Sequence, residues 1–66
     1  MEITLNGQLK TLSGVGSVAA LVESLGYAGK RIAVERNGEI VPKSTYASTP
    51  VLQGDQIEIV VAVGGG

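Results

Sequence analysis

The sequence predicts an α+β fold, a mixed β-sheet packed on one short α-helix. Three observations carry this. Apolar residues alternate with polar ones near both ends of the chain, which is the period of a half-buried strand. Two Asn-Gly pairs each sit between short strand-like runs. Between the first hairpin and the later strands lies a single apolar stripe at helical spacing.

"MEITL" alternates, with Met1, Ile3 and Leu5 on one side and Glu2 and Thr4 on the other. Asn6-Gly7 follows, a hairpin turn whose central residues both need positive φ. The returning strand is expected over Gln8 to Leu12. Leu9 and Leu12 cannot both face inward in an unbroken strand, so a bulge or an early strand end is expected there. "SGVGS" is loop. Ser17 then reads as an N-cap, its hydroxyl accepting from an unpaired backbone N–H. Val18, Leu21, Val22 and Leu25 form the stripe of a helix of about two turns, which Gly26 ends. So short a helix melts alone and must pack on the sheet.

"RIAVERNGEIVP" gives a third strand, a turn at Asn37-Gly38, and a short fourth strand stopped by Pro42. Ile32 and Val34 share one face, Ala33 and Glu35 the other. "KSTYASTP" is a polar connector with room for one helical turn, stiffened by Pro50. Val51 and Leu52 are expected to re-enter the core. "QGDQ" is a turn at Gly54, which Asp55 can close through its side chain. "QIEIVVAV" is the last strand, with Ile57, Ile59 and Val61 toward the core. The order β-β-α-β-β-β, with the long apolar last strand placed centrally and parallel to the first, is a β-grasp, ubiquitin-like arrangement. A right-handed crossover through the helix permits it. Residues 1–63 are expected to form this domain and 64–66 a flexible glycine tail.

The composition excludes much chemistry. A chain of 66 residues is one domain at most. It buries roughly 60% of its unfolded surface, so its margin of stability is thin. It has no Cys and no His. Disulfides, thiolate metal sites, thiolate nucleophiles and an imidazole base are therefore all ruled out. The carboxylates Glu2, Glu23, Glu35, Glu39, Asp55 and Glu58 are dispersed and read as solvated positions. "GVG" at Gly14–Gly16 lacks the Gly-Lys-Ser/Thr ending of a phosphate loop. Net charge is −1, and Lys10, Lys30, Arg31, Arg36 and Lys43 are scattered among the acids. That dispersal points away from nucleic acid, and Lys30-Arg31 reads as a solvated doublet before a strand. No apolar run approaches a membrane span. "MEITLNG" has no basic or apolar leader segment, so the expectation is a cytoplasmic protein that binds no membrane.

The remaining feature is the end, "VVAVGGG". Gly64, Gly65 and Gly66 reach backbone conformations closed to other residues. From Val63 onward the tail can extend by roughly 13 Å, and it fits a channel too narrow for side chains. A terminal α-carboxylate is inert until ATP converts it to an acyl-adenylate, after which sulfur or an amine can attack. The competing reading of a glycine run is a frayed end or a tag remnant. Beside the tail, Val60, Ala62 and Val63 point outward or beyond the sheet. They form a docking patch for a partner, or a sheet face partly covered by a neighbouring segment.

"LNG", "SVAALVESLG", "VERNGEIVPKS" and "LQGDQIEIVVAVGGG" together resemble the ThiS family, the ubiquitin-like sulfur carriers of thiamine biosynthesis. The likeness covers nearly the whole chain. "GDQIEIV…GG" is common to sulfur carriers in general, while "NGEIVPKS" and the short length favour the thiamine branch. The resemblance implies a carrier and not an enzyme. An adenylating, E1-like partner activates Gly66 with ATP, and sulfur from a cysteine desulfurase converts it to a thiocarboxylate. Thiazole synthase then uses that sulfur. Gly65 and Gly66 map onto the family's diglycine, with Gly64 as an additional glycine. No cofactor or metal is expected on the chain itself, and Tyr46 is expected to pack over the connector without a catalytic role. The alternatives are the small subunit of molybdopterin synthase, a ubiquitin-like protein modifier, and a non-covalent binding module.

Overall fold

A computed structural model describes residues 1–62; Val63, Gly64, Gly65 and Gly66 lie outside the described residues. The elements are β1 (Glu2–Leu5), β2 (Gln8–Thr11), α1 (Val18–Ser24), β3 (Ile32–Arg36), β4 (Glu39–Val41), a 3-10 turn at Lys43–Thr45, and β5 (Gln56–Val61). They form one sheet in the order β2-β1-β5-β3-β4. β5 is central, parallel to β1 and antiparallel to β3.

Both Asn-Gly pairs make the expected turns. Asn6 and Gly7 have φ of 50° and 80°, and Asn37 and Gly38 have 51° and 85°. These are left-handed values at both central positions, which match the twist of the flanking strands. The β2 ambiguity resolves as an early strand end. The strand stops at Thr11, leaving Leu9 exposed, while Leu12 packs on the core and donates its N–H to the Met1 carbonyl.

Ser17 caps α1, its hydroxyl accepting from the Ala20 N–H at 3.1 Å. At the other end the Tyr27 N–H reaches the Val22 carbonyl and the Gly26 N–H reaches that of Glu23, both at 3.0 Å. This paired closure satisfies carbonyls the helix leaves open, with Gly26 in the left-handed conformation. Val18, Leu21 and Val22 are buried, and Leu25 is packed against the core.

The core is aliphatic. Ile3, Val18, Leu21, Val34 and Ile57 are its most enclosed large side chains. Each contributes about 1.5–3 kcal/mol by leaving water. Register explains the layer, because Leu5 stands beside Ile57 and Val34 stands between Ile59 and Val41.

Three expectations change. Val51 is buried but Leu52 is exposed, because adjacent residues of extended chain point to opposite sides. Val61, expected in the core, is 39% exposed. It pairs with Ile32 at the end of the ladder, and Ile32 itself is only partly buried. Asp55 is not solvated but 6% exposed. Its carboxylate accepts from the Leu52 N–H at 2.8 Å, closing the turn as the sequence implied. It also accepts from Arg36 Nε at 2.7 Å and Asn37 Nδ2 at 3.1 Å. Burial alone raises the pKa of Asp55, but these donors and the Arg36 charge outweigh it and hold the pKa below its ordinary value.

Candidate functional site

The last strand fixes where the tail begins. β5 pairs with β3 from Arg36↔Ile57 to Ile32↔Val61. One residue further, the Ala62 N–H donates to the Arg31 carbonyl at 2.9 Å. The last described residue therefore lies beside the start of β3. Of the residues expected near the tail, Val60 is 64% exposed and Ala62 is exposed. Val63, Gly64, Gly65 and Gly66 fall outside the described residues.

Val60 and Ala62 line a cleft of about 560 Å³. One wall comes from α1 and the segment after it, through Val22, Glu23 and Tyr27. The connector contributes Lys43 and Tyr46, and β3 contributes Ile32. Tyr46, expected to pack over the connector, is instead partly buried against the core, and it also lines this cleft. Its carbonyl accepts from the Ala19 N–H at 3.0 Å, which ties the connector to the helix. The Lys30 N–H donates to the Tyr27 carbonyl at the same distance and folds the opposite wall.

Three of the five cationic side chains, Lys30, Arg31 and Lys43, line this cleft. All three are exposed, and the Arg36–Asp55 contact is the one ion pair among the described residues. Lys30 and Arg31 are solvated, as their doublet before a strand implies. That Lys43 stands beside them is not legible from the sequence, because only the return of the connector across α1 brings the segments together. Further along the outward sheet face to which Val60 belongs the sign is the other: Glu35 and Glu58 are directly paired there, with the exposed Ile40 beside them.

Among the described residues no cluster of His, Cys, Asp or Glu has the makings of a metal site. The hydroxyls of Ser24 and Ser48 donate to the backbone carbonyls of Leu21 and Thr45, and that of Ser17 caps the helix. None of these three faces a base. No helix among the described residues is long and apolar enough to cross a membrane.

Comparison with known proteins agrees with this architecture. The profile of the ThiS family matches residues 3–66. The chain is 38% identical over 65 residues to the sulfur carrier protein ThiS of Bacillus subtilis, covering 97% of this chain and 98% of that one. It is 47% identical over 66 residues to a thiazole synthase of Paramagnetospirillum magneticum, where it spans all of this chain but 20% of the relative's length. The crystal structure of the thiamine biosynthesis protein ThiS from Geobacter metallireducens superposes with a TM-score of 0.84 at 33% identity, and each chain is covered completely. The five-stranded mixed sheet on one helix is thus the β-grasp of these proteins, and the chain belongs to the ThiS family of sulfur carriers.

Proposed function

We propose that this chain carries sulfur for thiazole formation in thiamine biosynthesis, on the α-carboxyl group of Gly66. The observation that carries the reading is the family match, which runs through the terminal glycines and not only through the folded body. The inventory of side chains supports it. With no Cys and no His in the chain, a reactive sulfur has no side chain to occupy.

In this reading residues 1–63 are the body and 64–66 the tail that enters a partner's channel. The carrier role requires a free α-carboxylate on Gly66. An adenylating, E1-like enzyme supplies ATP. The carboxylate oxygen attacks the nucleotide, pyrophosphate leaves, and an acyl-adenylate forms. A persulfide sulfur from a cysteine desulfurase then displaces AMP. Cleavage of the resulting S–S bond by a thiol leaves the thiocarboxylate, which donates to thiazole synthase. The body catalyses nothing; it presents the tail. Val60, Ala62 and Val63 are the surface on which partners dock, and the work takes place in the cytoplasm. The thiazole branch is favoured over molybdopterin because the matching segment recurs within proteins named as thiazole synthases.

The test is intact-mass analysis after incubation with ATP, the adenylating enzyme and a cysteine desulfurase. The full chain gains the mass of sulfur replacing one oxygen, and a chain lacking Gly66 does not, while both give the same thermal midpoint. Absence of that gain under conditions that load a proven carrier overturns the proposal.

A further inference from the structure

The cleft beside the tail root combines two properties that are usually separate. Its inner surface is apolar, from Val22, Ile32, Tyr27 and Tyr46, and its charged side chains are exposed cations in excess. Lys30, Arg31 and Lys43 face one carboxylate there, that of Glu23. In a chain of net charge −1 this is a local reversal of sign. None of the three is held by an ion pair among the described residues, so each is available to an anionic group at little cost in lost contacts.

We propose that this cleft receives a protein segment in which an apolar side chain is flanked by carboxylates. The apolar side chain enters between the two tyrosines, and the carboxylates meet the cations around it. Charge complementarity selects an acidic segment, because a basic one meets three like charges. The depth of apolar lining favours a protein side chain over a free phosphate, which offers no hydrocarbon to bury. Position gives the cleft its use. Arg31 holds Ala62 through its carbonyl, so a partner seated here lies against the first residue of the exit path. The inference rests on the carrier reading in one respect, that the partner is a protein that handles the tail.

Two measurements test it on the full chain. In the first, Lys30→Glu and Lys43→Glu are combined, with Glu39→Lys, exposed on β4 and outside the cleft lining, as control. Loading by the adenylating enzyme is followed by intact mass, and transfer to thiazole synthase by product formation. With at least one of these partners the double reversal raises KM about tenfold or more and leaves kcat within about twofold. Its KM also loses salt dependence, as expected when long-range attraction is removed. The control stays within about twofold. An unchanged KM for the double variant with both partners overturns the proposal.

The second measurement needs no activity. The isotope-labelled protein is titrated with the peptide acetyl-Glu-Leu-Asp-amide, and separately with ATP and with inorganic phosphate. The peptide shifts the amide signals of Tyr27, Arg31, Ile32 and Tyr46, and the double variant does not respond. A silent peptide, or ATP or phosphate moving the same signals more strongly, overturns the proposal. Failure of the wild-type chain to take up sulfur overturns the carrier reading instead, and the titration alone then decides the cleft.

Discussion

The two ends of β5 are held in different ways. At its start, Asp55 and the two Asn-Gly turns lock the strand with side-chain hydrogen bonds. Asn37 donates its N–H to the Gln56 carbonyl at 2.7 Å, and its side-chain Oδ1 accepts from the Gln56 N–H at 2.9 Å. From the other side Asn6 reaches Ile59, donating from Nδ2 at 3.2 Å and accepting at Oδ1 at 2.8 Å. At its exit, Val60 and Ala62 are exposed, and the last described backbone bond runs from Ala62 to Arg31. The start contains satisfied polar groups, while the exit displays exposed apolar side chains beside exposed cations. The proposed carrier role would assign stability to the first end and contact to the second.

If that division holds, substitutions at the exit change delivery without changing stability, and those at the start do the reverse. The largest effect is expected in the tail. If the tail enters a narrow partner channel as proposed, Gly65→Val puts a branched side chain into it, and loading is expected to fall by about 10²-fold, as for a misplaced reacting group. The thermal midpoint stays at the wild-type value. A fall in midpoint comparable to that of a core variant would merge the two ends into one.

Next comes Asp55→Ala at the start. It leaves Arg36 and the Leu52 N–H without their acceptor and costs about 2–3 kcal/mol. For a domain this small that is a drop of roughly 10–20 °C in the midpoint. The folded fraction still loads at the wild-type rate.

The same carboxylate gives a pH signature. Its folded pKa is depressed, so its contribution is fully present above the unfolded value of 3.8 and is lost as pH falls through the lower folded value. Urea midpoints of the wild type and Asp55→Ala should therefore differ most near neutrality and converge in strong acid. A constant gap across that range would mean that the Arg36 contact contributes nothing through charge.

A smaller effect is expected for Asn6→Gly. Glycine keeps the positive φ, so the change isolates the two hydrogen bonds to Ile59, at about 1 kcal/mol by denaturant unfolding. Smallest in stability is Val60→Ser, within about 0.5 kcal/mol as for an exposed site, with weaker binding to the adenylating enzyme as its separate readout.

What the sequence reveals follows the range of the interactions. The Asn-Gly turns, the Ser17 cap, the helical stripe and the side-chain closure at Asp55 all act within a few residues, and each is legible. The central place of β5 is legible too, because an apolar run that long needs neighbours on both sides. The Arg36–Asp55 pair joins residues 19 apart through strand neighbours that no local pattern encodes. The reach of Asn6 to Ile59 spans 53. Leu52 is not legible because hydrophobicity says only that a residue prefers burial, while local geometry decides which of two neighbours, Val51 or Leu52, gets it. The cleft is half legible. Strand alternation points Val60 and Ala62 outward, but the cations come from segments that meet only after folding.

The Asn-Gly turns also bear on how the protein ages. Asn-Gly is the dipeptide in which the glycine nitrogen most readily attacks the preceding side-chain amide, closing a succinimide that opens to aspartate or isoaspartate. Here both vulnerable amides are held at nitrogen and at oxygen, Asn6 by Ile59 and Asn37 by Asp55 and Gln56. Ring closure must break these contacts first, so the bonds that seat the central strand also slow the chemical clock of the folded molecule, and deamidation becomes a marker of how often β5 comes loose.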